Sequence, residues 1–214
     1  MYHVQRLFLS GKKGRKHMRT PKRNHHKNGI IYVLFFLITL CIDQLTKFVA
    51  YQTLRLHGPK VIIKDVLELQ YLENRSAAFG VDPITLLNRI FHFSFFENEI
   101  IFENAKTIFF VILTLVVLFL MIRFLRKVPQ EKKYYFLIFD LLLFMTGAIG
   151  NFIDRILHRY VIDFIYFKWI NFPIFNVADI YVTVSAVGLI ILSLFYYKEK
   201  DFEQIFQAKG TQKE

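Results

Sequence analysis

The chain has 214 residues, of which 54% are hydrophobic and 25 are Phe, and its formal net charge is +11. An apolar excess of this size with positive mean hydropathy excludes an ordinary soluble domain and points to a membrane protein. Nucleic-acid binding is excluded as the source of the charge, because nine Lys or Arg fall within the first 28 residues rather than over a face. One cysteine, Cys41, and seven scattered histidines exclude a disulfide framework and leave no ligand set for a metal, so neither metal nor cofactor is expected.

Residues 1–28 form a basic tail containing "GKKGRK" and "PKRNHHK", the pattern of membrane-flanking positives. The first apolar run, 30–51 ("IIYVLFFLITLCIDQLTKFVAY"), is long enough to cross a hydrocarbon core of ~30 Å. It is too long for a signal-peptide h-region and lacks a nearby small-residue cleavage site, and Leu40 before Cys41 is too bulky for a lipoprotein attachment site. It therefore reads as an anchor.

The segment 52–104 reads as an outer loop. Within it, the alternations Val61/Ile63 and Leu67/Leu69/Tyr71 predict two or three short strands lying on the membrane surface. The Phe-rich stretch that follows predicts an interfacial helix. Further spans are predicted over 105–122, 134–153 and 177–197, separated by "RFLRKVPQEKK" (123–133) and a second outer loop over 154–176, with a tail over 201–214. The fold expected is an all-α, four-helix membrane domain (29–200) with a small extracytoplasmic β-sheet. Positives before helix 1, between helices 2 and 3, and after helix 4 place both termini in the cytoplasm.

Depth then sorts the polar residues. At 1.5 Å per residue, Asp43 lies about 20 Å from the inner end of helix 1, in the outer half, with Lys47 at i+4 on the same face. Helix 3 ends in "TGAIGNFIDRI", where i, i+3, i+4 spacing gathers Asn151, Asp154 and Arg155 above Gly147, which permits close helix contact. Helix 4 begins with Asn176 and Asp179, and the outer loops add Asn74 and Asp163. Intramembrane ionisable groups are costly and usually functional. Asp154 with Arg155, and Asp43, could instead serve to pair and hold the bundle together. Asp163 and Asp179 fit that role poorly, because cations at this depth are too few to neutralise every acid.

Two carboxylates without a cation each share a proton, so that one can take a proton from water while the other donates to a carbonyl oxygen. That is aspartic-protease chemistry. A proton-coupled transporter subunit would also use membrane carboxylates, but its polar groups should line both leaflets. Here only Asp140 lies deep on the inner side, on the same face as Gly147 and Asp154, and it has no assigned role.

"DQLTK" (43–47), "ENRSAAFG" (73–80), "GAIGNFIDR" (147–155), "VIDFI" (161–165) and "FNVAD" (175–179) resemble, in order, the five motifs of lipoprotein signal peptidase (signal peptidase II, peptidase family A8). The resemblance spans roughly 30–197. It implies a bacterial inner-membrane aspartyl endopeptidase that cleaves diacylglyceryl-modified prolipoproteins N-terminal to the lipidated cysteine. It further implies Asp163 and Asp179 as the catalytic pair, with Asp43, Asn74, Asn151, Asp154, Arg155 and Asn176 supporting the site or binding substrate. Inhibition by the cyclic peptide globomycin and a monomer among membrane lipids are expected as well. The chain departs from the family pattern at Ser76, where a glycine is usual, and in a long connection over 81–104. The first 17 residues have no family counterpart, which leaves Met18 as an alternative start.

Overall fold

The computed structural model describes residues 25–76, 83–93, 96 and 98–207, with side chains from Gly29 onward. Most of the basic tail, the "AAFG" end of the second motif and the last seven residues lie outside the described residues. Four helices are long and apolar enough to cross a membrane, over Gly29–His57, Glu99–Leu125, Lys132–His158 and Val177–Tyr196. They correspond one to one with the four predicted spans.

The first, α1 (His25–His57), outlasts its apolar run by nearly two turns. At 33 residues it is about 50 Å long, so its end stands above the hydrocarbon, where Arg55 and His57 complement the negative end of the helix. Gly58, with φ 78° and its N–H on the Leu54 carbonyl, ends it in the left-handed conformation that glycine accepts without strain. The chain then forms β1 (Lys60–Ile63) and β2 (Leu67–Asn74), the two strands expected from alternation. A helix follows in the Phe-rich stretch as α2 (Pro83–Phe91), with Leu86, Leu87 and Ile90 exposed.

The second membrane helix, α3 (Glu99–Leu125), starts earlier than predicted because Asn98 caps it, its side chain accepting from the N–H groups of Ile100 and Ile101. The third, α4 (Tyr135–His158), runs past the predicted 153 to a left-handed Arg159. The second outer loop is then largely structured. Val161–Phe167 form β3, which pairs antiparallel with β2 in a sheet of order β1-β2-β3, with Asn74 opposite Val161 and Leu72 opposite Asp163. "VIDFIYF" has almost no polar alternation, and the reason is that both faces of β3 are covered: Val161 to Phe164 are all buried.

The last span, α5 (Val177–Ile191), ends in a π-helical turn over Leu192–Tyr196. The expected C-terminal tail is instead helical over Glu199–Gln207, as α6. There Phe202 and Ile205 turn inward, and Asp201 accepts from Lys133 and Tyr134.

Two clusters make the core. One gathers Tyr134, Leu137, Ile138, Leu141 and Leu142 with Tyr197 and Ile205. The other packs Ala50 and Leu54 of α1 on Ile162 and Phe164 of β3. Large apolar side chains such as Ile108, Leu120 and Val187 are exposed along the helices, a surface suited to lipid rather than water. Tightest of the helix contacts is α4 on α5, where a Cβ at Gly147 would run into the Ala178 carbonyl and the Val182 side chain. Glycine there is what allows the approach expected of it.

Candidate active site

Three helices and two strands bring their polar residues to one end of the bundle, against the sheet. From α1, Asp43 and Lys47 project together at i, i+4, both buried. The Lys47 ammonium, 2% exposed, lies 3.0 Å from Asp43 Oδ2 and 3.0 Å from Asp154 Oδ2, and donates to Asn151 Oδ1 at 2.9 Å. A charge so deep persists only when paired and fully hydrogen-bonded, and Lys47 meets both conditions. Asp43 Oδ1 in turn accepts from the Ala178 N–H at 2.9 Å, tying α1 to the first turn of α5. Asp154 accepts from the Ile162 N–H at 3.1 Å and from the Gln44 amide at 3.3 Å. It thus pins the end of α4 to the start of β3.

This arrangement corrects one expectation. Asp154 and Arg155 do not neutralise each other. Neighbours on a helix point about 100° apart, so Asp154 turns inward to Lys47 while Arg155 reaches the Ser76 carbonyl at 3.2 Å. Its guanidinium also stacks 4.8 Å from the Phe110 ring centroid. The same contact bears on the Ser76 departure. Ser76 is not among the residues with positive φ, and its N–H donates to Asn74 Oδ1 at 2.8 Å. An Asx-type turn thus does locally what a glycine turn would do, and Asn74 stays in the site.

Asn176 caps α5. Its side chain accepts from the Asp179 N–H at 2.9 Å and Asp179 Oδ2 accepts from the Asn176 N–H at 3.1 Å, a reciprocal capping box. The acid at the mouth of this helix is therefore held in one rotamer by the helix start itself. Its other oxygen, Oδ1, accepts from the Asn151 amide at 2.8 Å. Across the site, Asp163 is fully buried. Its two oxygens accept from the Asn176 amide at 2.6 Å and the Asn74 amide at 2.7 Å. Asn176 also donates to Asn151 Oδ1 at 3.1 Å.

The two asparagines therefore bridge Asp163 and Asp179, and among the described residues neither acid forms an ion pair. Burial, with the Asp179 charge adding to it, pushes the Asp163 carboxyl up to about 7, against the pull of the Asn74 and Asn176 amides and of Lys47. Asp179 is only half-buried, so a substrate can reach the pair from its side.

Every site residue expected from the sequence lies in this network. Two members were missed, Lys47 and Gln44. The available signal for Lys47 was its i+4 relation to Asp43 on a face where a lone lysine could not stand unpaired. No group of three or more His, Cys, Asp or Glu suited to a metal occurs among the described residues.

The signal peptidase (SPase) II family matches residues 35–195. The chain is 36% identical over 174 residues to the lipoprotein signal peptidase of Clostridium tetani (strain Massachusetts / E88), covering 80% of this chain and 95% of that one. It is 37% identical over 166 residues to that of Caldanaerobacter subterraneus subsp. tengcongensis, covering 77% and 95%. Among solved structures it resembles a bacterial membrane enzyme determined by the in meso method at 2.3 Å, with a TM-score of 0.59, 26% identity, and coverage of 86% of this chain and 93% of that one. A second such enzyme, at 1.9 Å, gives a TM-score of 0.58 and 27% identity, over 78% of this chain and 94% of that one. The chain belongs to the signal peptidase II family, and it is a multi-pass bacterial membrane protease.

Proposed function

We propose that this signal peptidase II removes signal peptides from diacylglyceryl-modified prolipoproteins, cleaving before the lipidated cysteine, with Asp163 and Asp179 as an aspartic pair. The observation that carries the assignment is the division of charge in the site. The buried Lys47 is engaged by Asp43 and Asp154, which leaves Asp163 and Asp179 bridged by neutral amides and, among the described residues, in ion-pair contact with no cation.

Asp179, on the open side, takes a proton from the attacking water. Asp163 gives its proton to the scissile carbonyl oxygen as the water oxygen bonds to the carbon. When the tetrahedral intermediate collapses, the C–N bond breaks, the proton gained by Asp179 passes to the leaving amine, and Asp163 takes back the proton of one hydroxyl as the C=O bond of the acid product re-forms. Asn74 and Asn176 hold Asp163, Asn151 holds Asp179, and Lys47, itself held by Asp43 and Asp154, holds Asn151. Arg155, anchored to the Ser76 carbonyl, fixes the loop beside the cleft. In this reading both termini are cytoplasmic, the cleft opens to the outer face, the enzyme acts as a monomer, and globomycin competes with substrate.

The test is mass analysis of a lipid-modified prolipoprotein incubated with purified enzyme in detergent. Asp163→Asn or Asp179→Asn should each lower the rate by about 10²- to 10⁴-fold, the range of general acid–base catalysis. Full cleavage by either variant overturns the assignment.

A further inference from the structure

Behind the sheet, a groove of about 680 Å³ opens between α1 and the strands. Its walls are Leu45, Val49, Ala50 and Leu54 of α1 with Leu69 and Phe164 of the sheet. Alternation along β3 shows which side this is. Asp163 turns to Asn74 and Asn176, so its neighbours Ile162 and Phe164 turn the opposite way, onto Ala50 and Leu54. The groove and the aspartic pair thus lie on opposite faces of one strand.

Nothing along the groove calls for a polar ligand. The hydroxyls of Thr46 and Thr53 already donate to carbonyls of their own helix, those of Ile42, Asp43 and Val49. The mouth is different. There His57, Gly58, Pro59 and Lys60 form the rim. Lys60 is exposed and has no ion-pair partner among the described residues, and neither has Lys64 just beyond it. The His57 ring contacts the Thr53 carbonyl through Nδ1, which leaves Nε2 for a ligand.

Length completes the description. From Leu45 to His57 the helix rises about 18 Å, close to the ~15 Å depth of one leaflet of a ~30 Å hydrocarbon core. Leu45 and Val49 are 62% and 55% exposed, so this side of α1 faces the bilayer.

We propose that the groove binds an outer-leaflet glycerophospholipid with an anionic headgroup. One acyl chain lies along α1 between Leu45 and Leu54, and the phosphate sits at Lys60 and His57. The diacylglyceryl group of the substrate is not the occupant. It is attached beside the scissile bond, which the proposed pair holds on the other face of β3, and it carries no phosphate for a cationic rim. That exclusion and the choice of the outer leaflet rest on the proposed function; the groove, its length and its rim do not. Because Phe164 adjoins Asp163, a bound chain supports the catalytic strand from behind.

The experiment is native mass spectrometry of the full-length enzyme released from nanodiscs of mixed phosphatidylglycerol and phosphatidylcholine. It is paired with photocrosslinking by a phosphatidylglycerol bearing a diazirine on its acyl tail. The enzyme should retain phosphatidylglycerol over phosphatidylcholine by about fivefold, as one basic residue at a lipid surface predicts, and the label should map to α1 between Leu45 and Leu54. Lys60→Glu should abolish the headgroup preference, and Val49→Trp, which fills the groove from its lipid side, should remove both retention and label. A synthetic diacylglyceryl lipopeptide should not displace the label. Unchanged retention in Val49→Trp, unchanged preference in Lys60→Glu, or displacement by the lipopeptide would each overturn the proposal. Asp163→Asn separates the two readings, since it should keep the lipid while losing cleavage; full cleavage by it refutes the pair and leaves the lipid result standing.

Discussion

The two ends of α4 each carry a carboxylate facing the bundle, four turns apart on the same face, and the protein treats them oppositely. Asp154 near the C-terminal end is 2% exposed and engaged by Lys47, Gln44 and the Ile162 N–H. Asp140 near the N-terminal end lies against Gly188, and its Oδ2 is buried with no hydrogen-bond partner among the described residues. Around Asp154 three helices and two strands contribute polar groups that satisfy one another. Around Asp140 the bundle is closed by aliphatic and aromatic packing, with Tyr134 stacked on Tyr197 at 5.5 Å. The contrast teaches that the bundle around the C-terminal end of α4 is organised to hold ionised groups in fixed geometry, and the bundle around its N-terminal end is organised mainly to pack. An acid in the first region belongs to a network whose members depend on one another. In the second, Asp140 has no such network, and the nearby Asp201 pairs instead with Lys133 at the edge of the packing.

The largest expected effect that separates the two ends is on stability. Lys47→Met leaves Asp43 and Asp154 buried without their cation and should cost about 3–5 kcal/mol. Asp140→Asn should cost little or nothing, because no partner is lost. Thermal unfolding of the detergent-purified variants measures both, and equal losses would break the comparison.

A smaller effect sharpens it. A Cβ at Gly150 would overlap the Asp43 carboxylate, and one at Gly188 would overlap that of Asp140. Gly150→Ala and Gly188→Ala should therefore each destabilise by about 1–3 kcal/mol through overpacking. Adding Asp140→Ala to Gly188→Ala should restore stability. Adding Asp43→Ala to Gly150→Ala should not, because Lys47 and the Ala178 N–H then lose an acceptor. The same unfolding measurement, run as two double-mutant cycles, reads the difference.

The smallest effect is in the pH profile. The Asp163 carboxyl is held up to about 7, and the proposed acid step needs its proton, so the cleavage rate should fall as pH rises through about 7. The Asn74 amide favours the ionised form of Asp163. Asn74→Ala should therefore move this alkaline limb upward by a fraction of a unit, whereas Asp140→Asn should leave it in place. A pH series of initial rates checks both, and a downward shift in Asn74→Ala would contradict the role given to that amide.

Much of this was legible in the residues. Four apolar runs named the four membrane helices, because a run of ~20 such residues has few alternatives to spanning. Strands β1 and β2 followed from alternation. The helical residues of the site followed from counting depth along each helix, since polar groups at one level in neighbouring spans must meet, whereas Asn74 and Asp163, read as loop residues, were tied to the site by the motif resemblance. Strand β3 was not legible: burial on both faces erases alternation. Helix α6 was hidden by its charges, because an amphipathic segment of nine residues is stable only against the core it covers.

By itself, the chain determined which segments are long and apolar enough to enter the membrane and at what height along its own helix each helical acid, amide and cation lies, because helical rise and apolar length are local properties. Only the tertiary structure decided that Lys47 serves Asp43 and Asp154, that Arg155 turns to the Ser76 carbonyl, and that Asn151 and Asn176 bridge the remaining pair. Those choices depend on distances of about 3 Å between separate helices and strands, set by the close approach of α4 and α5 at Gly147 and of α1 and α4 at Gly150. No periodicity within one segment encodes a distance to another.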